Sequence, residues 1–182
     1  MLIIHIISLV DTEQFSSIYK DIDANILINP SKKVAKKAII EEKECIVLIG
    51  HGTEYGLLNP RLDGFIVDSS MVQFLRNKTV IGIWCFASNF ADKYDLKGFF
   101  TSNFISNENE CNYFYLTNMI DINYDISKIG EIIEQENIKF SNQINTYLKN
   151  RTPLSEWVDG LQNNCSDYPF VRYNYEALFY NE

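Results

Sequence analysis

The stretch CIVLIGHG, residues 45–52, decides the fold class. From Cys45 to Ile49 the run is continuously apolar, without polar alternation. Such a strand is buried on both faces, as in a parallel sheet covered by helices. Gly50-His51-Gly52 cuts the run off, so the strand ends in a turn that carries one of only two histidines. The same construction recurs downstream, where Thr79 to Trp84 is apolar and Cys85 follows at once.

The flanking sequence extends this pattern. Residues 2–9 read as a buried strand, 25–29 as a short second one, and a fifth lies within Leu96 to Ile105. Helical spacing fills the gaps. Asp11 is placed to cap a helix carrying Phe15, Ile18, Tyr19 and Ile22 on one face. Pro30-Ser31 opens a helix through about Glu42, with Val34, Ala38 and Ile39 or Ile40 inward. Leu57-Leu58 and Phe65-Ile66-Val67 flank a loop and predict a hairpin, after which Asp68 or Ser69 caps a helix with Met71, Val72 and Leu75 inside. Strand and helix alternating in this way predict an α/β fold, a three-layer α/β/α sandwich with a mostly parallel sheet. From about residue 107 the character changes. Ser106 reads as a cap with Glu108 and Glu110 in the first turn, one or two helices follow between about 125 and 149, and another covers Leu154 to Leu161. The aromatic tail PFVRYNYEALFY should pack on the sheet, with an added strand and core or homodimer surface as its uses. No linker or repeat divides the chain, so 1–182 reads as one domain with a core of about 1–106 and a helical, aromatic part of about 107–182.

Composition bounds the partners. The net charge is −8, which does not suit a phosphate backbone, and the basic run Lys32-Lys33-Val34-Ala35-Lys36-Lys37 reads as a solvated helix face. The acidic run Glu131, Glu134, Glu136 is read likewise. MLIIHIISLV lacks the basic start and cleavage site of a signal peptide, and no run reaches the ~20 apolar residues that span a bilayer. The four cysteines, Cys45, Cys85, Cys111 and Cys165, fit neither a zinc ribbon nor a disulfide framework. The expectation is a cytoplasmic protein with reduced thiols, no nucleic-acid or membrane partner and no cofactor or metal.

Functional groups of an open parallel sheet gather beyond the carboxyl ends of its strands. Neighbouring strands lie ~4.8 Å apart, so adjacent strands at 45–49 and 79–84 would bring His51 and Cys85 out side by side. A thiol is mostly protonated at neutral pH, and an imidazole can take and return its proton. The N–H groups of Gly52 and Cys85 are candidates for an oxyanion hole. Ala87 and Ser88 are small enough to let a peptide reach Cys85. His5, inside the first strand, reads as a satisfied core or edge residue, and Cys45 lies at the wrong end of its strand.

GHGTEYGLL, a hairpin, VDSSMVQFL and then TVIGIWCFAS resemble the catalytic core of the caspase-like cysteine peptidases, which include caspases, metacaspases, gingipain-like and clostripain-like enzymes. That pattern is an apolar strand ending in His-Gly, a hairpin and helix, then an apolar strand ending in Cys. The resemblance covers about residues 1–106 and implies a caspase-like fold and endopeptidase activity on protein or peptide substrates. It implies His51 as general base and acid, Cys85 as nucleophile and Gly52 as oxyanion donor. The sequence departs from the caspase pattern at Trp84, where a small residue is usual, and has no counterpart of the arginines that bind aspartate. A basic P1 residue would need a carboxylate, for which Glu54, Asp63, Asp68 and Asp92 are candidates, with Ser88 bordering the same site. The strip Thr101 to Asn107 is a further candidate for bordering the cleft. The competing readings are an inactive caspase-fold scaffold, an acyl hydrolase and a nucleotide-binding domain. The last two lack a G-x-S-x-G elbow and a phosphate loop respectively.

Overall fold

The computed structural model describes residues 1–8, 12–121 and 128–182. Its centre is a six-stranded sheet in the order β2-β1-β3-β7-β8-β9, with β1 Leu2–His5, β2 Asn25–Ile28, β3 Cys45–Ile49, β7 Thr79–Ile83, β8 Gly98–Phe100 and β9 Phe179–Asn181. All neighbours run parallel except β9, which pairs antiparallel with β8. A small antiparallel sheet, β4 Gly52–Thr53, β5 Gly56–Leu58 and β6 Phe65–Asp68, stands beyond the end of β3.

Period-two alternation of the apolar strands produces the layers. Leu2, Ile4, Ile46, Leu48, Val80 and Phe100 face one side. There they meet Ala35 and Ile39 of α1 (Lys32–Glu41), Val72 and Leu75 of α2 (Val72–Leu75), and Phe90 and Ala91 of α3 (Ala87–Tyr94). Ile3, Val47, Ile49, Ile81, Ile83 and Phe99 face the other. There they meet Phe15 and Ile18 of a 3-10 segment, Glu13–Tyr19, and Cys111 and Phe114 of α4 (Glu108–Leu116). Phe140 and Ile144 of α5 (Ile129–Asn150), Trp157 and Leu161 of α6 (Trp157–Gln162), and Phe170 and Val171 of α7 (Pro169–Glu176) complete that layer. The chain is a three-layer α/β/α sandwich, and its helical C-terminal part forms most of one outer layer.

Several local expectations change. β1 stops at His5, and the element after it is a 3-10 helix with Thr12 at its N-cap. Asp11 and Ile126 lie outside the described residues. On α1, Ser31 caps as expected, but Ala35 and Ile39 are fully buried while Val34 and Ile40 are each 48% exposed. Asn107 rather than Ser106 caps α4. Its Oδ1 accepts from the N–H of Glu110, whose carboxylate in turn accepts from the N–H of Ser106. One long helix, α5, occupies most of 125–149. Its Glu136 is buried beside Lys139 rather than solvated. The basic face of α1 is engaged at its surface, with Lys32 on Asp68 and Lys36 over the ring of Phe74. Among the described residues, no helix is long and apolar enough to cross a membrane.

Candidate functional site

β3 and β7 are parallel neighbours, with Ile49 opposite Ile83. His51 and Cys85 each lie two residues beyond that pair, so they leave the sheet from matched positions. Gly50 makes the exit of β3 possible. Its φ is +150°, a Cβ there would stand 2.9 Å from the carbonyl oxygen of Ile6, and its N–H donates to the carbonyl of Ile83 at 3.1 Å. His51 is then fixed through its backbone, whose carbonyl accepts from the N–H of Leu58 in the hairpin at 2.8 Å.

Cys85 follows β7 and precedes Phe86, whose φ of +66° is left-handed and starts α3. The N–H groups on either side of Cys85 are taken up, that of Trp84 by Thr101 Oγ1 at 3.1 Å and that of Phe86 by the carbonyl of Ser102 at 3.0 Å. Thr101 Oγ1 also donates to the carbonyl of Trp84 at 2.8 Å. The strip after β8 thereby braces both flanks of the cysteine.

One narrow cleft of about 20 Å³ is lined by both residues, together with Thr12, Phe15, Gly50, Ile83, Trp84, Thr101, Phe104 and Ser106. Cys85 sits deep in it. Its Sγ donates to the carbonyl of Phe104 at 3.4 Å. Burial pushes the thiol up to about 11, Glu110 adds in the same direction, and the backbone of Phe104 opposes them. At neutral pH the sulfur is therefore protonated, and an attack by it needs a base.

The bulky Trp84 does not lie over Cys85. Adjacent residues of an extended segment face opposite sides, and Trp84 belongs to the layer beneath the hairpin. Its ring fills the space that side chains on Gly52 and Gly82 would need, and its Nε1 donates to the carbonyl of Thr53 at 3.2 Å. A Cβ on Gly52 would come within 2.0 Å of Trp84 Cδ1. Gly52 is thus the residue on which Trp84 packs, and it is not among the residues lining the cleft.

The acidic candidates sit elsewhere. Asp68 is engaged by Lys32 and by the N–H of Ser70, and these contacts hold its carboxyl below the usual range although burial opposes them. Asp63 accepts from Asn59 Nδ2 in the hairpin loop, and Glu54 and Asp92 are exposed. Neither these four nor Ser88 lines the cleft. In their place stand Thr12, Phe15, Phe104 and Ser106, which sequence patterning did not single out one by one. Phe15 carried only a core signal, and Phe104 and Ser106 fell inside the strip proposed to border the cleft.

His5 is fully buried. Its Nε2 donates to the carbonyl of Thr12 at 2.8 Å, so Nδ1 is the acceptor for the Tyr19 hydroxyl at 3.0 Å. It is a satisfied core residue, as expected, and it fixes one wall of the cleft through Thr12. The four cysteines are free thiols, with Cys45 at the opposite end of β3. Among the described residues, no group of three or more His, Cys, Asp or Glu side chains is placed to hold a metal ion. No family model, curated protein or solved structure matches the chain.

Proposed function

We propose that the chain is a caspase-like cysteine endopeptidase acting through Cys85 and His51. The observation that carries this reading is the matched exit of the two residues from β3 and β7 into one cleft. The order of the elements agrees with the pattern of that family, a strand ending in His-Gly, a hairpin and helix, and a strand ending in Cys. In the proposed reaction His51 takes the Sγ proton, the sulfur bonds to the scissile carbonyl carbon, and the C–N bond breaks as the amine leaves with that proton. Water, deprotonated by the same imidazole, then releases the acid and restores the thiol. The N–H of Cys85 lies between two occupied neighbours and is the first candidate for the oxyanion. The substrate is a peptide or protein, and the four free thiols suit a reducing compartment such as the cytoplasm.

Labelling by peptide acyloxymethyl ketones with Arg, Lys, Asp or Leu at P1, read by intact mass, tests this. A single adduct is expected on the wild type, absent from Cys85→Ala and slowed about 10²- to 10⁴-fold in His51→Ala, the range of general-base contributions. Folded protein that takes up no probe would sink the reading. The deep, protonated thiol under Phe104 favours a second reading, an inactive member of the same fold that serves as a binding module. Under that reading, Cys85→Ala leaves every function intact.

A further inference from the structure

Three consecutive backbone units run beside the partly buried Cys85, the first of them bonded to its thiol, and side chains from distant elements hold them. The carbonyl of Phe104 accepts from Sγ of Cys85. The next residue, Ile105, is clasped twice by Asn174 of α7, its N–H donating to Oδ1 at 2.7 Å and its carbonyl accepting from Nδ2 at 2.9 Å. The carbonyl of Ser106 accepts from Gln14 Nε2 and from Asn137 Nδ2, both at 3.1 Å. Asn174 is 2% exposed, so its amide has both ends committed to one backbone residue with no water to compete. Upstream, Thr101 and Ser102 are bonded to the backbone around Cys85. The strip is therefore a bridge with two fixed ends, and the ring of Phe104 is wedged against Phe15 and Phe140.

We propose that Asn174, with Gln14 as a second anchor, is a positioning residue that clamps the backbone of 104–106 over the Cys85 thiol, so that a substrate reaches the sulfur only when this clasp opens. The proposal deepens the cysteine-nucleophile reading and rests on it for the substrate. With the amide gone, the N–H and carbonyl of Ile105 are buried without partners, and they regain partners only by moving out to water. Outward movement uncovers the sulfur. The charged or titratable groups facing Cys85 are His51 beyond β3 and Glu110 on α4, and Glu110, whose carboxylate accepts from the N–H and the hydroxyl of Ser106, shifts with the strip when the clasp opens.

Iodoacetamide labelling of the full chain at pH 8, mapped by peptide mass, tests the clasp. Cys45, equally partly buried but at the far end of β3, is the comparison thiol that the clasp does not touch. Asn174→Ala is expected to raise the Cys85 rate about tenfold or more, as its thiol moves toward the free value of about 8.5, while Cys45 stays slow. An unchanged Cys85 rate overturns the proposal. If Asn174→Ala fails to fold or frees both thiols alike, Gln14→Ala decides, because that side chain is only half-buried. A faster Cys85 with a slow Cys45 supports the clasp, and an unchanged Cys85 overturns it. Alkylation needs no turnover, so a clasp that opens in a protein that cleaves nothing removes the peptidase reading and leaves the clasp standing.

Discussion

At the scale of single residues, the two histidines contrast. His51 stands at a strand end beside a cleft, whereas His5 is sealed with both nitrogens bonded. Burial pulls His5 down to about 4, with its bond to Thr12 opposing. Unfolded, it titrates near 6.5. Between these values the unfolded chain binds a proton that the native state refuses, so stability falls as pH drops from about 6.5 and levels off below about 4. Urea denaturation should show wild type losing about 3 kcal/mol more than His5→Gln between pH 7 and pH 4. Equal losses would mean that His5 is readily protonated in the native state. His51 and Cys85 were legible in the sequence because each interrupts an apolar run. Thr12, Phe104 and Asn174 were not, since the Asn174 side chain meets the backbone of Ile105 across 69 positions and the backbones of Phe104 and Thr12 act from loops that leave no period.

At the scale of elements, apolar runs and caps were readable, and helix faces less so. On α1 the apolar positions Val34, Ala35, Ala38, Ile39 and Ile40 form too broad a stripe to show which edge turns inward. Packing against β1 and β6 settles it in favour of Ala35 and Ile39. Trp84 was the element-level surprise. It departs from the small residue of the caspase pattern, and the structure makes it the post on which the hairpin rests. A double-mutant cycle makes this measurable. Trp84→Ala should cost about 3–5 kcal/mol as a large-to-small core change, and Gly52→Ala about 1–3 kcal/mol by overpacking. With the ring gone the tightest clash is relieved, although the carbonyl oxygen of Gly56 still stands 2.7 Å from the added methyl, so the double variant should be more stable than the sum predicts by about 1 kcal/mol. Additive losses in chemical denaturation would show that the ring and Gly52 do not press on each other.

At the scale of the whole molecule, the fold class was legible because strands without alternation demand cover on both sides. The tail was expected to pack on the sheet with an added strand, and β9 is that strand; its place beside β8 and its antiparallel sense were not legible, because they depend on pairing between the middle of the sequence and its end. The layer that includes the C-terminal helices shares one continuous core with β1, β3 and β7. The chain should therefore unfold as one unit rather than as a core and an appendage. Trp84 and Trp157 lie in opposite layers and can report on this. Fluorescence of Trp84→Phe and of Trp157→Phe should each give a midpoint that coincides with circular dichroism of the same variant. Midpoints that separate from the circular dichroism would mean that the layers melt independently.

The pairing of β8 with β9 also sets a timetable. A ribosome adds about 5–20 residues per second, so the partner of β8 emerges several seconds after β8 itself. For that interval Gly98-Phe99-Phe100 presents an apolar edge with open hydrogen-bonding groups, the kind of surface that recruits strands from other nascent chains. The closing strand thus makes translation speed and the crowding of polysomes part of what decides how many chains reach the native sheet.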